Sequence, residues 1–469
     1  MSKKGYSDVV LGLQFGDEGK ARVVDFLAPN YDIIARFNGG SNAGHTIKYK
    51  NKKVALQQVP SGIFYPKQIL YIGSGCVVNL IKLVKEIQTL EETGIILKNR
   101  LKISCQASII QPHHLILDEI MGKVIGTTKN GIGPAYADKA TRMEGDRLVS
   151  IRLADLIDNP KMYGDFIKKN LLFVAKTHKI KIKNPDAQIN EIIDALTSVK
   201  NYVEMDPLYL QKKVEKGSKV LFEGAQSAML DVSRGSVPFV TSSSTLASAA
   251  YVGGDLPVFY HRKTIGIAKA VMSRVGNGPF PSEYGGKKSE IYCIASEKDG
   301  RPKYRAEVEE KLDVERLLTS GDSFKIGMAL RILSGEYGTR TTRPRRIGMF
   351  DLVQLSYSSK MNGVDELIIN KCDTLSFYGK TKKRKIPVVN DYKLDNKTID
   401  YLPSSSDATY RVLPNVVYWN AFTRDITNIR KFADLPKELK EFIANVEKAT
   451  DTKVTGIGVG PERDQFIKR

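Results

Sequence analysis

The sequence predicts an α/β fold: a central, mostly parallel twisted sheet flanked by helices, in one domain across residues 1–469. Two observations predict it. Short apolar runs of strand character alternate with stretches of helical periodicity, the pattern that lays helices over a parallel sheet. The runs also end in turns bearing Gly or Asp, where such a sheet presents its ligand-binding loops.

In chain order, SDVVLGLQF (7–15) reads as a buried first strand, and VVDFLA (23–28) as the start of a helix. YDIIARF (31–37) and QILYIGSG (68–75) read as the next strands. NLIKLVKEIQTLEETG (79–94) has apolar residues at helical spacing and a Gly stop, so it predicts an amphipathic helix. Residues 155–218 read as mainly helical. KVLFEGA (219–225), ELIINKCD (366–373) and KVTGIGVG (453–460) read as later strands. Residues 284–335, with GGKKSE, SEKDGRPKYR and EVEEKLDVERLL, read as a polar, inserted subregion to which no chemistry can be assigned.

Composition narrows the function classes. With 42% apolar and 26% charged residues the chain is an ordinary globular sequence. No apolar run approaches the roughly 18 residues of a membrane span, and the N-terminus lacks a cleavable signal pattern, so a cytoplasmic protein is expected. Cys76, Cys105, Cys293 and Cys372 stand far apart without a CxxC pair, which fits a reducing compartment and argues against zinc. The net charge of +20 suits either a nucleic-acid partner or a site for anionic nucleotides. Basic residues are scattered, densest at 179–184 and 380–385, with no interleaved aromatic motif, so nucleic acid is not expected.

Five constellations carry chemistry, the last a pair of segments. GDEGKARVVD (16–25) follows the first strand; its glycines permit close approach to phosphate, and Lys20 supplies a point charge at a helix start. It is not the Walker pattern. Asp17, a carboxylate among phosphates, reads equally as a helix cap or as a holder of Mg²⁺ or a proton. FNGGSNAGHT (37–46) offers His45 as a general acid or simply as an exposed loop histidine. INKCD (369–373) resembles the guanine-reading N-K-x-D of GTP-binding proteins: Asp373 can accept from N1–H and the 2-amino group together, and Lys371 can lie along the base. EYGTRTTRPRRIGMFD (336–351) interleaves arginines and threonines as an anion loop or a solvated basic turn. IGTTKNGIGPAYADKATR (125–142) and FEGAQ…PFVTSSST (222–245) form a pair suited to a small polar ligand. Together the clusters suggest one crevice at the carboxyl ends of the strands.

These segments, with PSGIF (60–64), RVGNGPFPSE (274–283), RPRRIG (343–348) and GVGPER (458–463), resemble in order the adenylosuccinate synthetase family along nearly the whole chain. The resemblance implies a homodimer and a Mg²⁺-dependent ligase that converts IMP, L-aspartate and GTP to adenylosuccinate, GDP and phosphate through a 6-phosphoryl purine. It implies Asp17 as the base that takes the IMP N1 proton and ligates Mg²⁺, with the Gly44 carbonyl as a second ligand. His45 is implied as the acid at the β–γ bridge, and Lys20 and Gln226 as further catalytic groups. IMP contacts map to Asn42, Thr128, Gln226, Thr241 and Arg343, with Arg142 reaching across the dimer. Aspartate contacts map to Thr339, Arg340, Thr341, Arg343 and Arg345. GTP contacts map to Gly16, Glu18, Gly19, Lys20, Gly44, Thr46, Arg345, Lys371, Asp373, Gly458 and Gly460. The chain departs from the family pattern at Ala21, Ser41, Asn130, Arg340, Thr342 and Gly458. Two alternatives remain: a phage-type relative acting on dGMP, disfavoured because a 2-amino group would crowd Asp17, and a nucleotide- or RNA-binding homologue without turnover.

Overall fold

A computed structural model describes residues 5–42, 44–49, 52–122, 126–294, 307, 312–338 and 343–469. A ten-stranded sheet is formed by β1 (Tyr6–Gly12), β2 (Ile33–Arg36), β3 (Ile69–Ile72), β4 (Leu101–Ser104), β5 (Val203–Glu204), β6 (Lys219–Ser227), β7 (His261–Lys269), β8 (Glu366–Asn370), β9 (Lys453–Gly458) and β10 (Phe466–Lys468). Its order is β5-β4-β3-β2-β6-β1-β7-β8-β9-β10. Val, Ile and Leu fill these strands on both faces, as a sheet covered by helices requires. The chain's contacts divide into two compact units that alternate along the sequence: residues 1–10, 20–225 and 241–263, and residues 11–19, 226–240 and 264–469. Among the described residues no helix is long and apolar enough to cross a membrane.

In the first unit β2 pairs in parallel with both β3 and β6, β3 with β4, and β4 with β5. Helix α1 (Lys20–Leu27) begins three residues before the predicted start. Helix α2 (Leu80–Glu92) is the expected amphipathic element, capped by the Asn79 side chain on the Lys82 amide at 2.9 Å. Four helices occupy most of 153–215, as the periodicity predicts. Buried polar groups pin the loops. Glu223, on β6, accepts the Ser61 amide at 2.8 Å and the Ser61 hydroxyl. Asn38, after β2, accepts from the Ala225 amide at 2.8 Å and donates to the Ala225 and Ser244 carbonyls.

Helices α3 (Pro112–Met121) and α4 (Ile132–Thr141) are joined by a buried triad. The Gln111 amide donates to Nδ1 of His114, so the His114 proton sits on Nε2 and is given to Asp138 at 3.0 Å. His113 Nε2 lies 2.9 Å from the same carboxylate oxygen. The trio is close enough to hold a metal ion, but a proton on His114 Nε2 occupies the nitrogen such an ion would need.

In the second unit β7, β8 and β9 run parallel, and β10 closes the edge antiparallel to β9. A four-stranded sheet of 350–351, 385–394, 397–399 and 413–420 belongs to the same unit, where Phe350 and Trp419 both pack edge-on against Phe442. The described residues of 284–335 belong to the second unit. Arg331 pairs with Glu307 at 2.7 and 3.0 Å, Tyr337 donates to the same carboxylate, and the helix Ser323–Ser334 packs within the second unit.

Burial lowers the His114 pKa from 6.5 to about 4. The unfolded chain therefore binds the proton more readily, so this residue's share of stability is complete above pH 6.5 and falls as the pH drops toward 4. A tenfold difference in proton affinity between the folded and unfolded chain corresponds to about 1.4 kcal/mol of stability. We expect urea midpoints to fall from pH 7.5 to pH 5, and the stability gap between the parent and His114→Asn to narrow over the same interval. A constant gap would contradict this.

Candidate active site

The loop after β1 is built from inside. Glu18 is buried; its Oε1 accepts the Gln14 and Gly16 amides at 3.2 and 2.8 Å, and its Oε2 accepts the Ser227 hydroxyl at 2.6 Å. Asn370, at the end of β8, donates to the Glu18 carbonyl at 2.6 Å. Gly16 and Gly19 have φ of +96° and +82°, and a Cβ on Gly19 would lie 2.9 Å from the Asn370 side-chain nitrogen. The Glu18 side chain, carried into the GTP set by resemblance, thus turns inward and holds the loop.

Asp17 is the outward member. Its φ is +60°, and its side chain is 39% exposed, with Oδ2 3.0 Å from Arg345 Nε. Gln226 and Lys371 also have a positive φ, at +65° and +58°, as does Arg142 at +64°. Non-glycine residues seldom adopt it, and it costs on the order of 1–3 kcal/mol when sterically resisted. Four residues singled out from the sequence are therefore strained, which marks positions where the fold holds a side chain against local preference.

Arg345 is nearly buried and leads to a hub that the sequence did not announce. Its Nη1 donates to Glu336 Oε2 at 2.6 Å, and its amide donates to the Glu336 carbonyl at 3.0 Å. Glu336 also receives the Lys371 ammonium and the Ser273 hydroxyl, the latter at 2.8 Å, with the Lys269 ammonium 3.6 Å away. Lys269 in turn donates to Ser273 Oγ. Burial opposes ionisation of Glu336, but Lys269, Lys371 and Arg345 outweigh it and hold the carboxyl well below its usual range. Burial lowers the Lys269 pKa, with Glu336 opposing that shift. Arg345 stays charged because Asp17 and Glu336 overcome its own burial.

The remaining anion loop is closed at its base. The Gly338 amide donates to the Arg343 carbonyl at 2.9 Å, beside a bridge between Tyr337 and Pro344. Its tip, with Thr339, Arg340, Thr341 and Thr342, lies outside the described residues. Arg346, next in sequence, is structural: it forks onto Glu283 at 2.9 and 2.5 Å. Asp373 is half-buried in the first turn of the 3-10 helix Cys372–Lys380, directly after β8, and Gly458 and Gly460 are buried at the end of β9. The second unit thus gathers Asp17, Arg345 and Lys371 around one carboxylate.

The first unit carries the other motifs. Lys20 opens α1 and is buried. Asn42 is half-buried and accepts the Gly40 amide at 3.1 Å, while the Tyr136 hydroxyl bridges the Gly39 amide and Gly75 carbonyl. Gly44 is exposed; His45 and Thr46 open the strand His45–Tyr49, and their side chains lie outside the described ones. Thr128 is exposed and receives the Asn130 amide at 2.9 Å, with Lys82 donating to Asn130 in turn. Asn130, a departure from the family pattern, therefore orients a predicted IMP contact. Thr241 is half-buried. Arg142 ends α4 with its side chain exposed, its carbonyl held by the Val149 amide at 3.0 Å.

Glu336, Lys269, Ser273 and the pinning roles of Glu18 and Asn38 were missed from sequence. One signal existed: Lys269 interrupts an apolar strand, TIGIAKAVM, where an ammonium needs a buried carboxylate.

Comparison with known proteins matches this architecture. A family model described as adenylosuccinate synthetase covers residues 9–467. Adenylosuccinate synthetase 2 of Cupriavidus pinatubonensis is 45% identical, covering 99% of this chain and 98% of its own. The Streptococcus gordonii adenylosuccinate synthetase is 37% identical over 98% of this chain and 97% of its own. Among solved structures, a fully ligated adenylosuccinate synthetase from Plasmodium falciparum superposes with a TM-score of 0.84 at 30% identity, over 99% and 100% of the two chains. The cyanophage S-2L succinoaminodeoxyadenylate synthetase, bound to dGMP and dATP, shares the fold at TM-score 0.60 and 17% identity, over 99% and 96%. A loop pinned from within to display one carboxylate, a guanine-type motif at the end of β8 and this full-length likeness agree: the chain belongs to the adenylosuccinate synthetase family of GTP-dependent ligases.

Proposed function

We propose that this chain joins IMP to L-aspartate at the expense of GTP, with Asp17 as the base that starts the reaction. The observation that carries the reading is the exposed Asp17 carboxylate, held on a left-handed turn 3.0 Å from Arg345. A neutral purine carbonyl is a weak nucleophile. Removal of the N1 proton by Asp17 places negative charge on O6, which attacks the γ-phosphorus of GTP to give 6-phosphoryl-IMP and GDP. The amine of aspartate then displaces phosphate from C6. Arg345 stands beside the Asp17 carboxylate and, with Arg343 and residues 339–341, is assigned to the carboxylates of aspartate.

Lys20 and His45 oppose charge on the phosphoryl oxygens, with His45 the acid at the β–γ bridge. Asn42, Thr128, Gln226 and Thr241 seat IMP, and Lys371 with Asp373 reads guanine, joined by the 458–460 turn. The donor set suits Mg²⁺: an outward carboxylate at Asp17 and a backbone carbonyl at Gly44 are hard oxygen ligands. When bound there, Mg²⁺ neutralises charge on the transferring phosphate. Positioning three reactants together supplies on the order of 7–11 kcal/mol of barrier reduction. The exposed, backbone-pinned Arg142 supports a homodimer in which it reaches the partner's IMP phosphate, and the reaction belongs to the cytoplasm.

Three outcomes test this. Asp17→Ala should fold normally yet lose at least about a thousandfold in adenylosuccinate formation, measured by mass spectrometry of products; ordinary turnover would remove the base. Phosphate release should be far faster with IMP than with dGMP, because the 2-amino group of guanine crowds Asp17. Mixing inactive Asp17→Ala and Arg142→Ala subunits should restore about a quarter of parental activity, since a hybrid dimer has one intact site; no recovery would place Arg142 in its own subunit's chemistry.

A further inference from the structure

Glu336 touches no substrate in the reading above, yet cations from two separate motifs converge on it. Oε1 receives Lys371, the residue set against guanine. Oε2 receives Nη1 of Arg345, whose Nε faces Asp17. The Ser273 hydroxyl also donates to Oε2, and Ser273 is itself held by Lys269. The carboxylate is essentially inaccessible, at 1% side-chain exposure, so its geometry is not averaged by water. One oxygen serves the nucleotide end and the other serves the base.

We propose that Glu336 is a positioning residue that sets Lys371 and Arg345 in fixed relation, so that guanine recognition and the placement of Asp17 are governed by one buried carboxylate. The inference rests on the reading of Asp17 and Lys371 given above. A purely structural Glu336 would do something different: it would only neutralise a cluster of buried cations. In that case, removing its charge together with one cation would restore function.

The test is the pair Glu336→Gln and Glu336→Gln/Lys269→Met, the second of which preserves the net charge of the cluster. The parent is assayed first with IMP, aspartate and GTP, and GDP affinity is measured by calorimetry for every protein. If the parent makes no adenylosuccinate, the functional reading fails, while GDP affinity still tests the Lys371 half of the proposal. In both variants we expect the KM for GTP to rise and kcat to fall, each by about tenfold, with the KM for IMP within about twofold of the parent. GDP affinity should drop in parallel. A double variant with parental GTP KM and kcat would overturn the proposal in favour of charge neutralisation. Where Glu336→Gln fails to fold, Glu336→Asp decides, because it keeps the charge but is one methylene too short to span both cations. The same joint defect supports the proposal, and parental values for both parameters overturn it.

Discussion

The buried ion cluster around Glu336 is the constraint on which the rest of the second unit depends. Lys269, Glu336 and Arg345 are almost wholly excluded from solvent, and Lys371 is only partly exposed. Opposite charges about 4 Å apart attract by about 4 kcal/mol at an effective dielectric of 20, but each ion has lost hydration of comparable size. Such a cluster adds little net stability when complete and costs roughly 3–5 kcal/mol when one partner is missing. Its contribution is therefore geometric. With the Glu336 carboxylate fixed by three donors, Arg345 has few places to go, and Asp17 faces a guanidinium of set position.

The loop before Asp17 obeys the same logic from the other side. Glu18 binds two amides of its own loop and a hydroxyl from the end of β6, and Asn370 clamps its carbonyl. Gln14 joins the loop to β7 through both the amide and carbonyl of Lys269. The strain at Asp17, Gln226 and Lys371 persists because these neighbours over-determine the backbone. Chemistry that must deprotonate a ring nitrogen and expose a phosphate to attack gains from such rigidity, since a carboxylate displaced by about 1 Å loses on the order of a hundredfold in rate.

The strands most legible in the sequence were those buried on both faces. SDVVLGLQF, YDIIARF and ELIINKCD each carry an apolar stretch; the last two contain their strands, and the first overlaps β1, which starts one residue earlier at Tyr6. Leu101–Ser104 and Val203–Glu204 are too short to rise above background, and His261–Lys269 opens with the charged HRK before its buried half. Helix α1 was read late because Lys20 and Arg22 hide its first turn. At the site, motifs gave the outward residues because their types recur at short spacing. They could not give Glu336, which meets Ser273 across 63 residues and Lys371 across 35. Pairings of that kind are set by strand order, and strand order is not written in local periodicity.

The proposed reaction requires O6 of the purine to become the nucleophile once Asp17 has taken the ring proton. Oxygen tracing addresses this directly. IMP labelled with ¹⁸O at position 6 is turned over with GTP and aspartate, and the released phosphate is analysed by mass spectrometry. One ¹⁸O atom per phosphate, carried from the purine, is expected. Unlabelled phosphate formed alongside adenylosuccinate, with the label found in water, would contradict it.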